Sequence, residues 1–447
     1  MASTSQGLGG EHAIVIGAGM AGLLAARVLV DHFRRVTVLD RDHLPGGIAP
    51  RAGAPQGHHV HVLITRGWQI LGELFPGLPA ALEAEDAPPI DWIADVDFHT
   101  PFGKAPRFDS PLRSRACTRA LLETSVRRLL VTDPRVHLVD GVEVTGLVAE
   151  EGGARVRGVL VQRRGDGPLP AADDLRADLV VECSGRGSKA GEWLTALGHA
   201  APTETVVDAK IGYSTRIYQR AADRPWKALY AMGRAPAQPR SGVIYPIEGG
   251  RWIVTLAGYG PENHPPTDDA GFTAFARALA VPDVAEAIAA ATPLSKIHGY
   301  RRTENRIRHY EALRPAPRGF LVLGDAACYL NPVYGQGMTV SAIAATVLGE
   351  VLRERLPEGK IGPAFQRRLA AAARPAFLTA TGDDFRWPHT EGRLPPGQKV
   401  LHRVVDKIFA AATRDPAIHL RLMKVLHLLS PSTALFHPYV LRRALLG

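Results

Sequence analysis

The stretch from His12 to Asp40 narrows the choice of fold more than any other part of the chain. An apolar run, His12 to Ile16, leads into Gly17-Ala18-Gly19-Met20-Ala21-Gly22, then a helix-forming stretch, Leu23 to Phe33, and a second apolar run, Val36 to Leu39, that ends on Asp40. Strand, glycine turn, helix and strand within about 30 residues make the βαβ unit of a dinucleotide-binding fold. Gly17 permits the tight turn, Gly19 lets the backbone approach a pyrophosphate at the helix N-terminus, and Gly22 allows the helix to pack closely on the strand. Met20 and Ala21 belong to the same cofactor-binding loop. Asp40 is placed to bind the adenosine ribose hydroxyls, with Arg41 beside it. The fingerprint alone does not separate NAD from FAD.

A second segment, Gly319 to Glu350, tips the choice to FAD. Phe320 to Leu323 has strand length and ends in Gly324-Asp325, so the Asp325 carboxylate emerges at the carboxyl edge of a sheet, where it can accept a ribityl hydroxyl. Asn331-Pro332 marks a turn, and Gly335 and Gly337, flanking Gln336, let main-chain N–H groups approach a flat ring. A helix begins near Met338, and its positive end would face the flavin N1/O2 edge. The plainer alternative is an ordinary strand-loop-helix in which Asp325 is an N-cap.

The chain has 447 residues, 46% of them hydrophobic, enough for two interlocked domains. Its net charge is +9, but the arginines are scattered among acids and no basic run is interleaved with aromatics, so nucleic acid is not the expected partner. Phosphorylated cofactors or an anionic membrane surface suit that charge better. Cys117, Cys183 and Cys328 are far apart and odd in number, which fits reduced thiols and a cytoplasmic location. No secretory signal is visible, and no stretch approaches the ~20 apolar residues of a membrane helix.

The fingerprint together with Gly324-Asp325, Pro332 and Gly335-Gln336-Gly337-Met338 resembles the FAD-dependent monooxygenase superfamily of p-hydroxybenzoate hydroxylase and squalene epoxidase. The resemblance implies an α/β fold. A Rossmann-like FAD-binding domain is assembled from residues 1–87, 114–204 and 310–360; residues 88–113 make an excursion to the substrate side, 205–309 form an inserted β-sheet substrate domain, and 361–447 form a C-terminal helical region. Arg119, before a Leu-Leu pair, matches an arginine that contacts the FAD pyrophosphate region; an exposed helical arginine is the alternative. Ser184-Gly185 stands where the hydroxylases carry Asp-Gly. That departure leaves open whether NADPH or NADH reduces the flavin directly or a separate flavin reductase supplies the electrons.

His58, His59 and His61 invite a metal, but no carboxylate or cysteine accompanies them at ligand spacing, so no metal is expected. Ordinary structural histidines are the first reading. The run Gln-Gly-x-His-x-His is also similar to one in bacterial flavin epoxidases, which implies a flavin-edge, catalytic role for Arg51 and His59. Strands are expected over Val206 to Gln219 and in a hairpin turned by Gly249-Gly250, with Tyr213, Tyr245, Trp252 and Val254 walling a substrate pocket over the flavin. Phe272 to Ala291 and Pro363 to Ala373 read as helices, Asp383 to Pro388 as a loop, and Arg301 to Arg308 as a solvated basic face. Three short amphipathic helices finish the chain. They roof the substrate channel or, as in squalene epoxidase, lie on a membrane.

The resemblance is greatest to bacterial epoxidases of polyketide (polyether) or isoprenoid olefins. It implies that reduced FAD takes up O2 as a C4a-hydroperoxide and passes an oxygen to a double bond, with charge stabilised at the Gly337-Met338 backbone. An aromatic hydroxylase and a flavin-dependent prenyl-chain reductase are the alternatives. A flavin halogenase would carry Trp-x-Trp, and none occurs in the chain.

Overall fold

The computed structural model describes residues 10–164, 174–221 and 224–446; Gly165 to Pro170, whose Gly, Pro and Asp content reads as a turn in the sequence, lies outside them. Five parallel strands form one sheet, in the order Phe320–Val322, Leu179–Glu182, Gly10–Ile16, Phe33–Leu39, Val136–Val139. A parallel sheet is covered on both faces, so its strands read as unbroken apolar runs, and Ala13, Ile14 and Val15 are completely buried. The helices Met20–Leu29 and Gly337–Arg353 pack on each other beside this sheet. Residues more than 300 positions apart in sequence thereby meet at its carboxyl edge.

The second large sheet has eight strands, among them Ile211–Gln219, Arg251–Tyr259, Arg240–Ile247, Ala228–Ala231 and Val96–Thr100 in that spatial order. Gly249 and Gly250, at φ 68° and 66°, turn the Arg240–Ile247 and Arg251–Tyr259 hairpin. Val96–Thr100 runs parallel to Ala228–Ala231, so the excursion that follows residue 88 joins this sheet. One face is covered by the helices Asp269–Arg277 and Asp283–Ala289, whose Phe272, Phe275 and Val284 pack in one core with Trp252, Val254 and Leu256. The opposite face looks into a cavity. Beyond the cavity lie the helices Gln398–Ala412 and Pro416–Leu426; a third, Pro438–Leu446, packs outside them.

Three elements differ from the sequence expectation. The strand expected over Val206 to Gln219 is two: Glu204–Val207 pairs with Asn305–Arg308 in a separate small sheet, and the chain turns at Lys210 (φ 52°) into Ile211–Gln219. The helix expected from Phe272 to Ala291 is broken by Pro282, which cannot donate to a continuing ladder. The helix expected from Pro363 to Ala373 instead runs Glu358–Asp384 with Pro363 and Pro375 inside it, and takes in Asp383 and Asp384 from the expected loop. Packing along Gly337–Arg353 outweighs the hydrogen bonds those prolines forgo. Among the described residues no helix is long and apolar enough to cross a membrane.

Candidate active site

A cavity of about 620 Å³ lies between the two sheets. At one end is the glycine fingerprint. A Cβ on Gly22 would stand 1.8 Å from the Gly17 carbonyl oxygen, so only glycine lets the helix Met20–Leu29 approach the first strand this closely. Gly17, Gly19, Met20, Ala21, Asp40 and Arg41 line the cavity, whereas Gly22 acts by packing beneath it. No side chain caps the helix at Gly19, which leaves its first N–H groups for an anion. Asp40 accepts from the Ala18 N–H and from Arg51 Nη1, both at 2.7 Å.

Arg51, expected at a flavin edge, lies at the fingerprint end of the cavity among carboxylates: its guanidinium is within 2.7 Å of Asp40, 3.6 Å of Asp42 and 2.8 Å of Glu123. Burial opposes its charge, but Glu123 and Asp40 more than offset this and hold it above its ordinary range. Arg119 shares Glu123 at 2.8 Å and faces the same cavity. Glu123, which the sequence reading missed, is the fourth residue after Arg119 on one helix, the spacing of an intrahelical ion pair. Both arginines adjoin Gly19: a Cβ there would lie 3.1 Å from Arg51 Nη2 and 4.0 Å from Arg119 Nη2. The arrangement suits a pyrophosphate.

The other wall is the Gly319 to Glu350 segment. Gly324 has φ 69° and a Cβ there would come within 2.4 Å of the Ala21 Cβ, so the second cofactor segment presses directly on the first. Asp325 faces the cavity; burial pushes its carboxyl up while Arg119 and Arg186 pull it back. Pro332, Gly335, Gly337 and Met338 line the same wall. Gln336 does not. Its side chain turns away and donates to the Leu426 carbonyl at 2.9 Å, tying the start of this helix to the C-terminal region. The helix Gly337–Arg353 also lacks a side-chain cap, and a Cβ at Gly337 would meet nothing within 4 Å. Two uncapped helix N-termini and two inward carboxyl groups on one elongated cavity fit FAD, its pyrophosphate at the first helix and its ring at the second.

Ser184 and Gly185 also border the cavity, followed by Arg186, which pairs with Glu304 and stacks 4.4 Å over the Tyr329 ring. Burial opposes the charge of Glu304, but Tyr329 and Arg186 hold it down to about 2. The stretch Arg301 to Arg308, expected as a solvated face, is largely tied inward: Arg301 donates to the Tyr213 carbonyl and Arg308 pairs with Glu204.

Of the four residues expected to wall a substrate pocket, Tyr213 and Tyr245 line the cavity. Trp252 and Val254 do not, because side chains alternate along a strand and these two share the face packed against Phe272 and Phe275. Their neighbour Thr255 faces the cavity instead, with Trp92, Phe98, Tyr230, Phe409 and Met423, which sequence reasoning missed. His59 lines the cavity too, 8% exposed, with Nδ1 2.7 Å from Thr215 Oγ1. Burial, reinforced by His61, His298, His58 and Arg301, pushes it down to about 3. His427, at the far wall, accepts from the Thr65 N–H (3.2 Å) and is pushed by burial down to about 3.

Residues 11–367 match the FAD binding domain family. A relative, Protein Rv3254 of Mycobacterium tuberculosis, is 32% identical over 416 residues, 91% of this chain and 87% of its own. A kynurenine 3-monooxygenase of Salinispora arenicola is 26% identical over 355 residues, 76% of this chain and 72% of its own. Solved structures with the same fold include a flavoprotein/dehydrogenase from Cytophaga hutchinsonii (TM-score 0.66, 15% identical, covering 97% of this chain and 96% of that one) and the flavin-dependent brominase Bmp2 (0.62, 15%, 94% and 93%). PqsL of Pseudomonas aeruginosa, a probable FAD-dependent monooxygenase, aligns at TM-score 0.61 and 17% identity over 84% of this chain and 98% of its own. At these identities the structures speak for the fold alone. With the fingerprint and the Gly324-Asp325 segment on one cavity, and a family match over most of its length, this chain belongs to the FAD binding domain family, within the superfamily of flavin-dependent monooxygenases.

Proposed function

We propose that the protein epoxidises a carbon–carbon double bond of an apolar natural-product intermediate, a polyketide or an isoprenoid, using FAD, O2 and electrons from NADPH or NADH, delivered directly or through a flavin reductase. One observation carries the reading. The cavity walls supplied by the eight-stranded sheet and the C-terminal helices, among them Phe98, Tyr213, Tyr230, Val243, Phe409, Met423 and Leu426, include no charged side chain. Such walls favour an apolar guest and offer no counter-ion to a carboxylate.

Bound FAD would supply activation of O2 for oxygen transfer. This chain's residues do the rest. Arg51, Arg119 and the Gly19 helix N-terminus would hold the pyrophosphate, and Asp325 a ribityl hydroxyl. The Gly337 backbone and the helix behind it would stabilise negative charge on the ring edge. Phe409, Met423 and Leu426 close the far side, so water is kept from the reacting oxygen. Epoxidation asks for no base, and the two histidines on these walls, His59 and His427, are held neutral by burial.

Aromatic hydroxylation is the second reading. The likeness to a kynurenine 3-monooxygenase favours it, as does Tyr334, which faces the cavity and hydrogen-bonds to Asp383 behind it. The deciding experiment reduces the FAD-loaded protein anaerobically, admits isotopically labelled O2 with an apolar olefin or a phenol, and weighs the products. Label in an epoxide is the expected result. Label only in a hydroxylated phenol selects the second reading, and a saturated product formed without O2 would sink both.

A further inference from the structure

Resting on the reading that an apolar molecule occupies this cavity, we infer that His59 and Tyr213 form a pair of neutral hydrogen-bond donors for a carbonyl oxygen of the substrate. The substrate is then an apolar ketone or ester, and neither a hydrocarbon nor a carboxylate.

The direction of the histidine's hydrogen bonds follows from its neighbours. Thr215 Oγ1 lies 2.7 Å from both His59 Nδ1 and Thr255 Oγ1, and Thr255 Oγ1 accepts from the Val60 N–H at 3.4 Å. Thr215 and Thr255 are cross-strand partners, 1% and 3% exposed. Among the described residues, one order of donation pairs every proton: Val60 N–H to Thr255, Thr255 O–H to Thr215, Thr215 O–H to His59 Nδ1. The imidazole proton is then on Nε2, for which the described residues supply no partner, on a ring that faces the cavity. Burial keeps this ring neutral, so it donates without adding charge.

Tyr213 stands two residues before Thr215 on the same strand and therefore on the same face. It is 6% exposed, its hydroxyl has no hydrogen-bond partner among the described residues, and burial holds the phenol well above its ordinary range, fully protonated. A buried phenol without a partner is costly unless a ligand completes it. Two neutral donors that face one cavity, beside sheet and helix walls without a charged side chain, suit a neutral acceptor oxygen. A hydrocarbon leaves both unsatisfied, and the sheet and C-terminal helix walls hold no cation for a carboxylate, the cavity's arginines lying on its other walls.

The test titrates the FAD-loaded protein with geranylacetone, with the hydrocarbon in which a methylene replaces its ketone, and with geranic acid. Binding is followed through the bound flavin's visible absorbance and tryptophan fluorescence. The ketone should bind about tenfold more tightly than the hydrocarbon, the scale of two neutral hydrogen bonds. Tyr213→Phe keeps the ring and removes one donor; Thr215→Val frees the His59 tautomer, making Thr215 a positioning residue. Each should reduce the preference about threefold. Should Thr215→Val not fold, Tyr213→Phe decides alone. Equal affinity for ketone and hydrocarbon, tightest binding of the acid, or a preference undiminished in the variants overturns the donor pair and leaves the apolar cavity standing. No response to any of the three overturns the apolar reading and the donor pair with it.

Discussion

His419 is packed between Phe98 and Phe108, 2% exposed, with Nδ1 lacking a partner among the described residues, and burial pushes it down to about 4. Its pKa is lowered by folding, so below about 6.5 the unfolded chain takes up a proton that the folded one refuses, and the residue opposes folding increasingly as pH falls. At about pH 5 the opposition is about 2 kcal/mol. His419→Leu should therefore gain on the parent by that amount between about pH 7.5 and about pH 5, read by denaturant unfolding at each pH; a constant difference would mean that the histidine takes up its proton as readily in the fold as in the unfolded chain. Asp325 has a different role, facing the cofactor cavity. Asp325→Ala should weaken FAD retention by about tenfold or more, the scale of a hydrogen bond to a charged group. A variant that purifies fully yellow with the parent's affinity removes Asp325 from the site.

At the scale of the element, the strand Arg251–Tyr259 divides its residues between two tasks. Trp252 stacks on Trp226 at 5.6 Å and packs toward the helices Asp269–Arg277 and Asp283–Ala289, while Thr255 turns to the cavity. Trp252→Ala should cost about 3–5 kcal/mol of stability and leave FAD content and ligand titration unchanged; lost ligand binding at undiminished stability would place the tryptophan in the pocket after all. The strand itself was legible in its alternating apolar residues. Which parity faces the cavity was not, because Trp252 and Tyr245 are equally apt to wall a pocket, and only the covering helices decide between them. The helix Glu358–Asp384 was misjudged for a related reason: proline is a local signal, and the packing that overrides it is not.

Across the whole molecule, the parts read correctly as local structure are those whose signal is short. Gly17 to Gly22 and Gly324-Asp325 carry their geometry in adjacent residues, and the structure brings them within van der Waals contact at Gly324 and Ala21. The ion-pair setting of Arg51 was not legible, because its partners, Asp40, Asp42 and Glu123, lie on other segments and nothing near residue 51 announces them. The cavity's far wall was invisible for the same reason, since Phe409, Met423 and Leu426 look in sequence like any amphipathic helix. The bond from Gln336 to the Leu426 carbonyl has a consequence for how the protein is made. Residues of the nucleotide end leave the ribosome hundreds of positions ahead of the ring end, and the wall that closes the cavity comes last. A nascent chain can thus shape the cradle for the adenosine half early, yet it completes the binding site only after residue 426 has emerged. Chains interrupted before that point lack the closing wall, and with it part of the stabilisation that a fully enclosed cofactor would confer.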